Sequence, residues 1–129
     1  MSFTIVSIED ESEMTELLAT MLGGPDVRFV SSDTAFDGLA LVREIRPALL
    51  ILDIMLPDMD GWSVYDAVRA DPVMSKIPVI MLTALRREFQ SRRVFRNGPL
   101  DAYVTKPFDM LQLRDQIESM LGVRLWQPH

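Results

Sequence analysis

The sequence predicts an α/β fold, a doubly wound five-stranded parallel sheet of the (β/α)5 kind. Three observations predict it. Strand-like and helix-like segments alternate five times along 129 residues. Two strand segments, ALLIL (48–52) and PVIML (78–82), are unbroken apolar runs, the pattern of strands covered on both faces. The polar residues able to do chemistry fall just past the ends of strand segments, where open parallel sheets gather ligands.

The first strand is FTIVSI (3–8), β-branched and closed by acids. A helix follows over 12–22, with Met14, Leu17, Leu18, Met21 and Leu22 at helical spacing before Gly23, Gly24 and Pro25 stop it. VRFVS (27–31) alternates as an edge strand does. Asp33 and Thr34 can cap a helix over 35–46 that Pro47 ends. After the third strand, 61–70 forms a helix closed by Asp71-Pro72, and the fourth strand runs to Leu82. A helix poor in apolar residues is expected over 86–96, a fifth strand over 102–105, and an amphipathic closing helix over 109–121. Residues 1–122 are expected to make one domain, and 123–129 a short tail.

Composition narrows the function classes. The chain is 48% hydrophobic and 25% charged, as ordinary globular domains are, and carries a net charge of −6. An acidic balance disfavours coating nucleic acid or an anionic membrane. The absence of cysteine excludes thiol catalysis and Cys-based metal sites. No apolar run reaches the roughly 20 residues of a membrane span. Acids at 9–11 interrupt any signal-like core, so a cytoplasmic location is expected.

Strand 1 ends in Glu9-Asp10, strand 3 in Asp53, strand 4 in Thr83, and the fifth strand in Lys106-Pro107. A parallel sheet places all of these on one rim. In the order 2-1-3-4-5 the four contributing strands are neighbours, and strand 2, ending in serines, lies at an edge. Three carboxylates on one rim repel, which favours either a raised pKa or a bound cation. Hard oxygen donors suit Mg²⁺, with Mn²⁺ as an alternative. Lys106 can pair with Asp53 or with phosphate oxygens, and the Thr83 hydroxyl can donate to one. This set suits phosphoryl transfer, with Asp53 as nucleophile forming an acyl phosphate.

The segments SIEDE, ILDIMLPDMDG, VIMLTA and YVTKPF resemble, in order and spacing, the marker segments of response-regulator receiver domains of two-component signalling. The resemblance covers nearly the whole chain and implies a CheY-like, flavodoxin-like fold. It implies that Asp53 accepts a phosphoryl group from a sensor histidine kinase or a phosphotransfer protein. Asp10, Asp53 and the Met55 backbone carbonyl would hold Mg²⁺, with Glu9, where the family more often has Asp, acting through water. Thr83 and Lys106 would bind the phosphoryl oxygens. Tyr103 matches the aromatic whose rotamer follows the Thr83 position, and Lys106-Pro107 matches a peptide bond that is usually cis. Met55 and Leu85 occupy positions that tune dephosphorylation, and bulky Leu85 implies a long-lived phosphoryl state. The family acts as a switch that catalyses only its own phosphorylation and dephosphorylation.

Two other readings compete with a phosphorylation switch. DMDG (58–61) resembles the D-x-D-G signature of haloacid-dehalogenase-type phosphatases, but Asp58 comes five residues after the strand ends. A phosphorylation-independent interaction module would keep the fold and leave the site unused. No glycine-rich phosphate loop supports nucleotide binding. Arg86, Arg87, Arg92, Arg93 and Arg96 crowd one stretch, 86–96, that carries +4 while the rest of the chain totals −10. Such a run reads as a solvated helix face or as a partner surface. In receivers the face of the fourth helix, fifth strand and last helix pairs with an output partner or a second receiver. A homodimer through that face is one expectation for this chain.

Overall fold

The protein is described by a computed structural model over residues 2–83 and 98–126. The elements are β1 (Phe3–Ile8), α1 (Ser12–Leu22), β2 (Val27–Ser32), α2 (Ala35–Ile45), β3 (Leu49–Leu52), α3 (Gly61–Ala70), β4 (Val79–Thr83), β5 (Asp101–Thr105) and α4 (Met110–Leu121). The helix expected over 86–96 lies outside the described residues, as do Leu85 and the five arginines. All strands are parallel and the sheet order is β2-β1-β3-β4-β5, as the sequence predicts.

Strand periodicity divides the core in two. Val6, Ile8, Leu50, Leu52, Val79 and Met81 face α2 and α3, meeting Ala35, Val42, Val64 and Val68. Their alternating neighbours Ile5, Leu49, Ile51, Ile80 and Leu82 belong to the opposite layer, with Leu18 and Leu22 of α1 and Leu113 and Ile117 of α4. All four residues of β3 are buried, which explains its unbroken apolar run. The ladder continues past the strand: the Asp53 N–H donates to the Ile8 carbonyl at 3.1 Å. Asp53 is therefore fixed at the rim by the sheet itself.

The first turn of α2 is satisfied from two places. The Thr34 hydroxyl accepts from the Asp37 N–H, as an N-cap should. The Asp58 carboxylate reaches across 23 residues of sequence, accepting from Ala35 N at 2.8 Å and Phe36 N at 2.9 Å. These backbone N–H bonds hold the Asp58 carboxyl below its ordinary value. A depressed folded-state pKa contributes stability that is present above the unfolded value and lost as pH falls through the folded one. Thermal melts of Asp58→Ala should show a lower Tm than wild type at pH 7, with the gap closing on acidification below about pH 4. A gap independent of pH would contradict this role.

At its far end α4 stops on Gly122, in the left-handed region at φ 69°, and the chain doubles back. Glu118 accepts from Leu125 N at 2.6 Å and Trp126 N at 3.1 Å. The Trp126 indole N–H donates to the Leu22 carbonyl at 3.0 Å, and the Arg114 guanidinium donates to the Met21 carbonyl. Carbonyls that the end of α1 cannot satisfy internally are thus satisfied by α4 and the segment after it. Leu125 is buried in the same layer. The first residues of the expected tail pack as part of the domain.

Candidate functional site

The rim gathers the predicted side chains. Glu9 and Asp10 follow β1, Asp53 follows β3, and Lys106 follows β5. Glu9 is 3% and Asp53 6% exposed, whereas Asp10 is exposed. Each of the three acids offers a carboxylate oxygen, and these oxygens lie within 4.8 Å of one another. The Lys106 ammonium reaches into the group, 2.5 Å from Glu9 Oε1, 3.2 Å from Glu11 Oε1 and 3.3 Å from Asp53 Oδ2. The other Asp53 oxygen, Oδ1, accepts from the Met55 N–H at 3.0 Å. The Lys106-Pro107 peptide is cis, as the resemblance implies.

Electrostatics follow from that crowding. Burial, and after it the hydrogen bond and charge of Asp53, push the Glu9 carboxyl up to about 8 against the lowering pull of Lys106. Burial alone would lower the Lys106 ammonium, but its contacts with Glu9, Asp53 and Glu11 outweigh that and raise it to about 12. Lys106 therefore stays charged across the physiological range. One cation against three closely set acids leaves the group short of positive charge, and the unmet demand falls on buried Glu9. All the convergent donors are hard oxygens. The cluster suits a divalent cation such as Mg²⁺.

A glycine makes this arrangement fit. The Gly61 N–H donates to the Ile54 carbonyl at 2.7 Å, pressing the start of α3 against the backbone that carries Asp53. A Cβ at Gly61 would stand 2.3 Å from the Asp53 carbonyl oxygen and 2.5 Å from Ile54 Cα. Asp60 caps α3 by accepting from the Trp62 N–H. Trp62 then stacks on Tyr103 with centroids 6.5 Å apart, and meets Tyr65 edge-on at 5.9 Å. The Tyr65 hydroxyl donates to Asp101 at 2.7 Å, and Arg69 donates to the same carboxylate at 2.8 Å. An aromatic row thus joins α3 to the start and the middle of β5.

Glu9, Asp10, Asp53 and Lys106 meet as expected, with the Met55 backbone alongside. Thr83 ends β4 in register with Thr105, one strand from Asp53. Glu11 is the contact that sequence reasoning missed. Its only signal was a third acid in succession, which reads as a favourable start to a helix. The phosphatase reading of DMDG fails, because Asp58 and Asp60 are spent as caps for α2 and α3.

The family model of the response regulator receiver domain matches residues 5–118. The chain belongs to this family. Receiver domains are switches of two-component signalling that take phosphoryl groups from histidine kinases and pass the signal to output partners. Receivers bind Mg²⁺ in the active site, and the Glu9-Asp10-Asp53 group is the matching acidic cluster. Over 119 residues it is 34% identical to the DNA-binding dual master transcriptional regulator RpaA of Synechocystis sp., covering 91% of this chain but 48% of RpaA. The chain thus spans about half the length of that relative. It is 29% identical to the polar-differentiation response regulator DivK of Brucella anthropi, over 92% of this chain and 96% of DivK. The signal receiver domain of a signal transduction histidine kinase from Syntrophus aciditrophicus superposes with a TM-score of 0.83 at 26% identity, covering 94% of this chain and 91% of that one. Among the described residues, no helix is long and apolar enough to cross a membrane.

Proposed function

We propose that Asp53 is the phosphoacceptor of this receiver. The observation that carries the reading is the convergence of Glu9, Asp10 and Lys106 on one nearly buried aspartate. A carboxylate oxygen of Asp53 attacks the phosphorus of a phosphohistidine or a small acyl phosphate. The new O–P bond forms as the donor's bond to phosphorus breaks, and the leaving group keeps that electron pair. Lys106, charged throughout, sits where it can accompany the phosphoryl oxygens, and the Thr83 hydroxyl is the second donor to them. Glu9, Asp10, Asp53 and the Met55 carbonyl would hold Mg²⁺, or Mn²⁺ in its place. When bound, the ion supplies the positive charge that the carboxylates and the equatorial oxygens both need.

In this reading Thr83 moves toward the phosphoryl group, Tyr103 adjusts its stack on Trp62, and the surface around β5 changes shape. Met55 and Leu85 set the phosphoryl lifetime, which is long because neither can orient an attacking water. The protein catalyses its own phosphorylation and dephosphorylation without turning over other substrates. The output acts through an acidic partner or a second copy of the chain engaging Arg86, Arg87, Arg92, Arg93 and Arg96, not through direct contact with nucleic acid. The setting is the cytoplasm, and residues 1–122 with the packed segment after them form the working unit.

The test is chemical. After incubation with acetyl phosphate and Mg²⁺, the protein should carry label that hydroxylamine removes, as it removes acyl phosphates, and the label should map to the peptide containing Asp53. Supplied p-nitrophenyl phosphate should not be turned over repeatedly. Hydroxylamine-resistant label, or steady multiple turnover, would contradict the reading.

A further inference from the structure

Lys106 is held by three acids, and Glu11 among them lies outside the acidic group formed by Glu9, Asp10 and Asp53. Glu11 stands at the N-cap position of α1, yet its side chain makes no cap hydrogen bond. Its carboxylate reaches instead to the end of β5, placing Oε1 3.2 Å from Lys106 Nζ. The side chain is 62% exposed, so the core does not depend on it.

An ammonium has three donors. Those of Lys106 are matched by three acceptors, Glu9 at 2.5 Å, Glu11 at 3.2 Å and Asp53 at 3.3 Å. A phosphoryl group on Asp53 brings further oxygens within reach, and a saturated ammonium can serve them only by giving up an existing partner. Glu9 is the shorter contact and is buried, so releasing it would strand a polar carboxyl group away from water. Glu11 can return to solvent with little loss.

We propose that Glu11 is a positioning residue that shares Lys106 with Glu9 and Asp53 in the unphosphorylated protein and yields it to the phosphoryl oxygens. The proposal rests on Asp53 being the phosphoacceptor. Contact with the exposed Glu11 carboxylate then sets how readily Lys106 is released, and hence how fast the protein is phosphorylated.

A double-mutant cycle tests it. With acetyl phosphate and Mg²⁺, Glu11→Gln should label roughly two- to five-fold faster than wild type. In a Lys106→Met background the same change should have no effect, because there is no ammonium to release. Simple repulsion of an anionic donor by Glu11 would instead persist in both backgrounds. In the metal-free, unphosphorylated protein, the Lys106 ¹³Cε resonance should move on Glu11→Gln. A stationary resonance, or an equal gain with and without Lys106, overturns this proposal alone. Failure of wild type to label at all overturns the phosphoacceptor reading and this proposal with it.

Discussion

Gly61→Ala should destabilise the protein by about 3 kcal/mol, lowering Tm by roughly 10 °C. The size of the effect comes from what the added methyl would meet. Its nearest neighbours are the Asp53 carbonyl oxygen and Ile54 Cα, which are backbone atoms and cannot rotate away. Either α3 lifts off the sheet, losing contacts of Val64 and Val68, or the segment after β3 shifts. That segment carries Asp53, so the variant should also bind Mg²⁺ more weakly, as Trp62 fluorescence can report. Gly38 provides a contrast. A Cβ there would meet Ile8 Cδ1 at 2.5 Å and Cγ1 at 2.6 Å, side-chain rather than backbone atoms, though of a fully buried β-branched residue. An unchanged Tm for Gly61→Ala would contradict the backbone contact as the constraint at Gly61, whatever Ala costs at Gly38.

Lys106→Met should cost about 2 to 3 kcal/mol in metal-free protein near neutral pH, because it leaves buried acids without their cation. The penalty should depend on pH in a definite direction. Glu9 titrates near 8 in the folded protein, above its unfolded value. Stability from that raised group is complete below the unfolded pKa and is lost as pH rises through the folded one. In wild type the loss ends once Glu9 has ionised, just above pH 8. Without Lys106 the folded-state pKa of Glu9 rises further, so the variant goes on losing up to about 1.4 kcal/mol per pH unit. Denaturant melts from pH 5 to 9.5 would show the two stability curves diverging at the alkaline end. Parallel curves would mean Lys106 does not neutralise Glu9.

The sheet was legible because its strands are buried on both sides. Runs such as LLIL leave no polar face to confuse a strand with an amphipathic helix, and strict alternation then forces parallel connections. The site was legible for a related reason. Parallel strands bring their carboxyl ends to one rim, so Glu9, Asp10, Asp53 and Lys106 could be placed together without knowing a single side-chain contact.

What escaped were contacts that depend on which side chain reaches which backbone group. Asp58 looked like half of a phosphatase motif, yet it caps a helix more than twenty residues earlier. Glu11 looked like a helix start but serves Lys106, ninety-five positions further along the chain. Glu118, Arg114 and Trp126 close the end of α1, where spacing alone suggested only an amphipathic closing helix and a short tail. Each is a polar contact fixed by the assembled fold, and hydrophobic periodicity carries no information about it.

Intact-mass measurement after incubation with acetyl phosphate most directly tests whether these converging groups make Asp53 reactive. Wild type with Mg²⁺ should gain the mass of a single phosphoryl group, and should gain none when EDTA removes the ion. Asp53→Ala should gain none under either condition. Labelling of Asp53→Ala as readily as wild type, or labelling indifferent to the ion, would contradict the account.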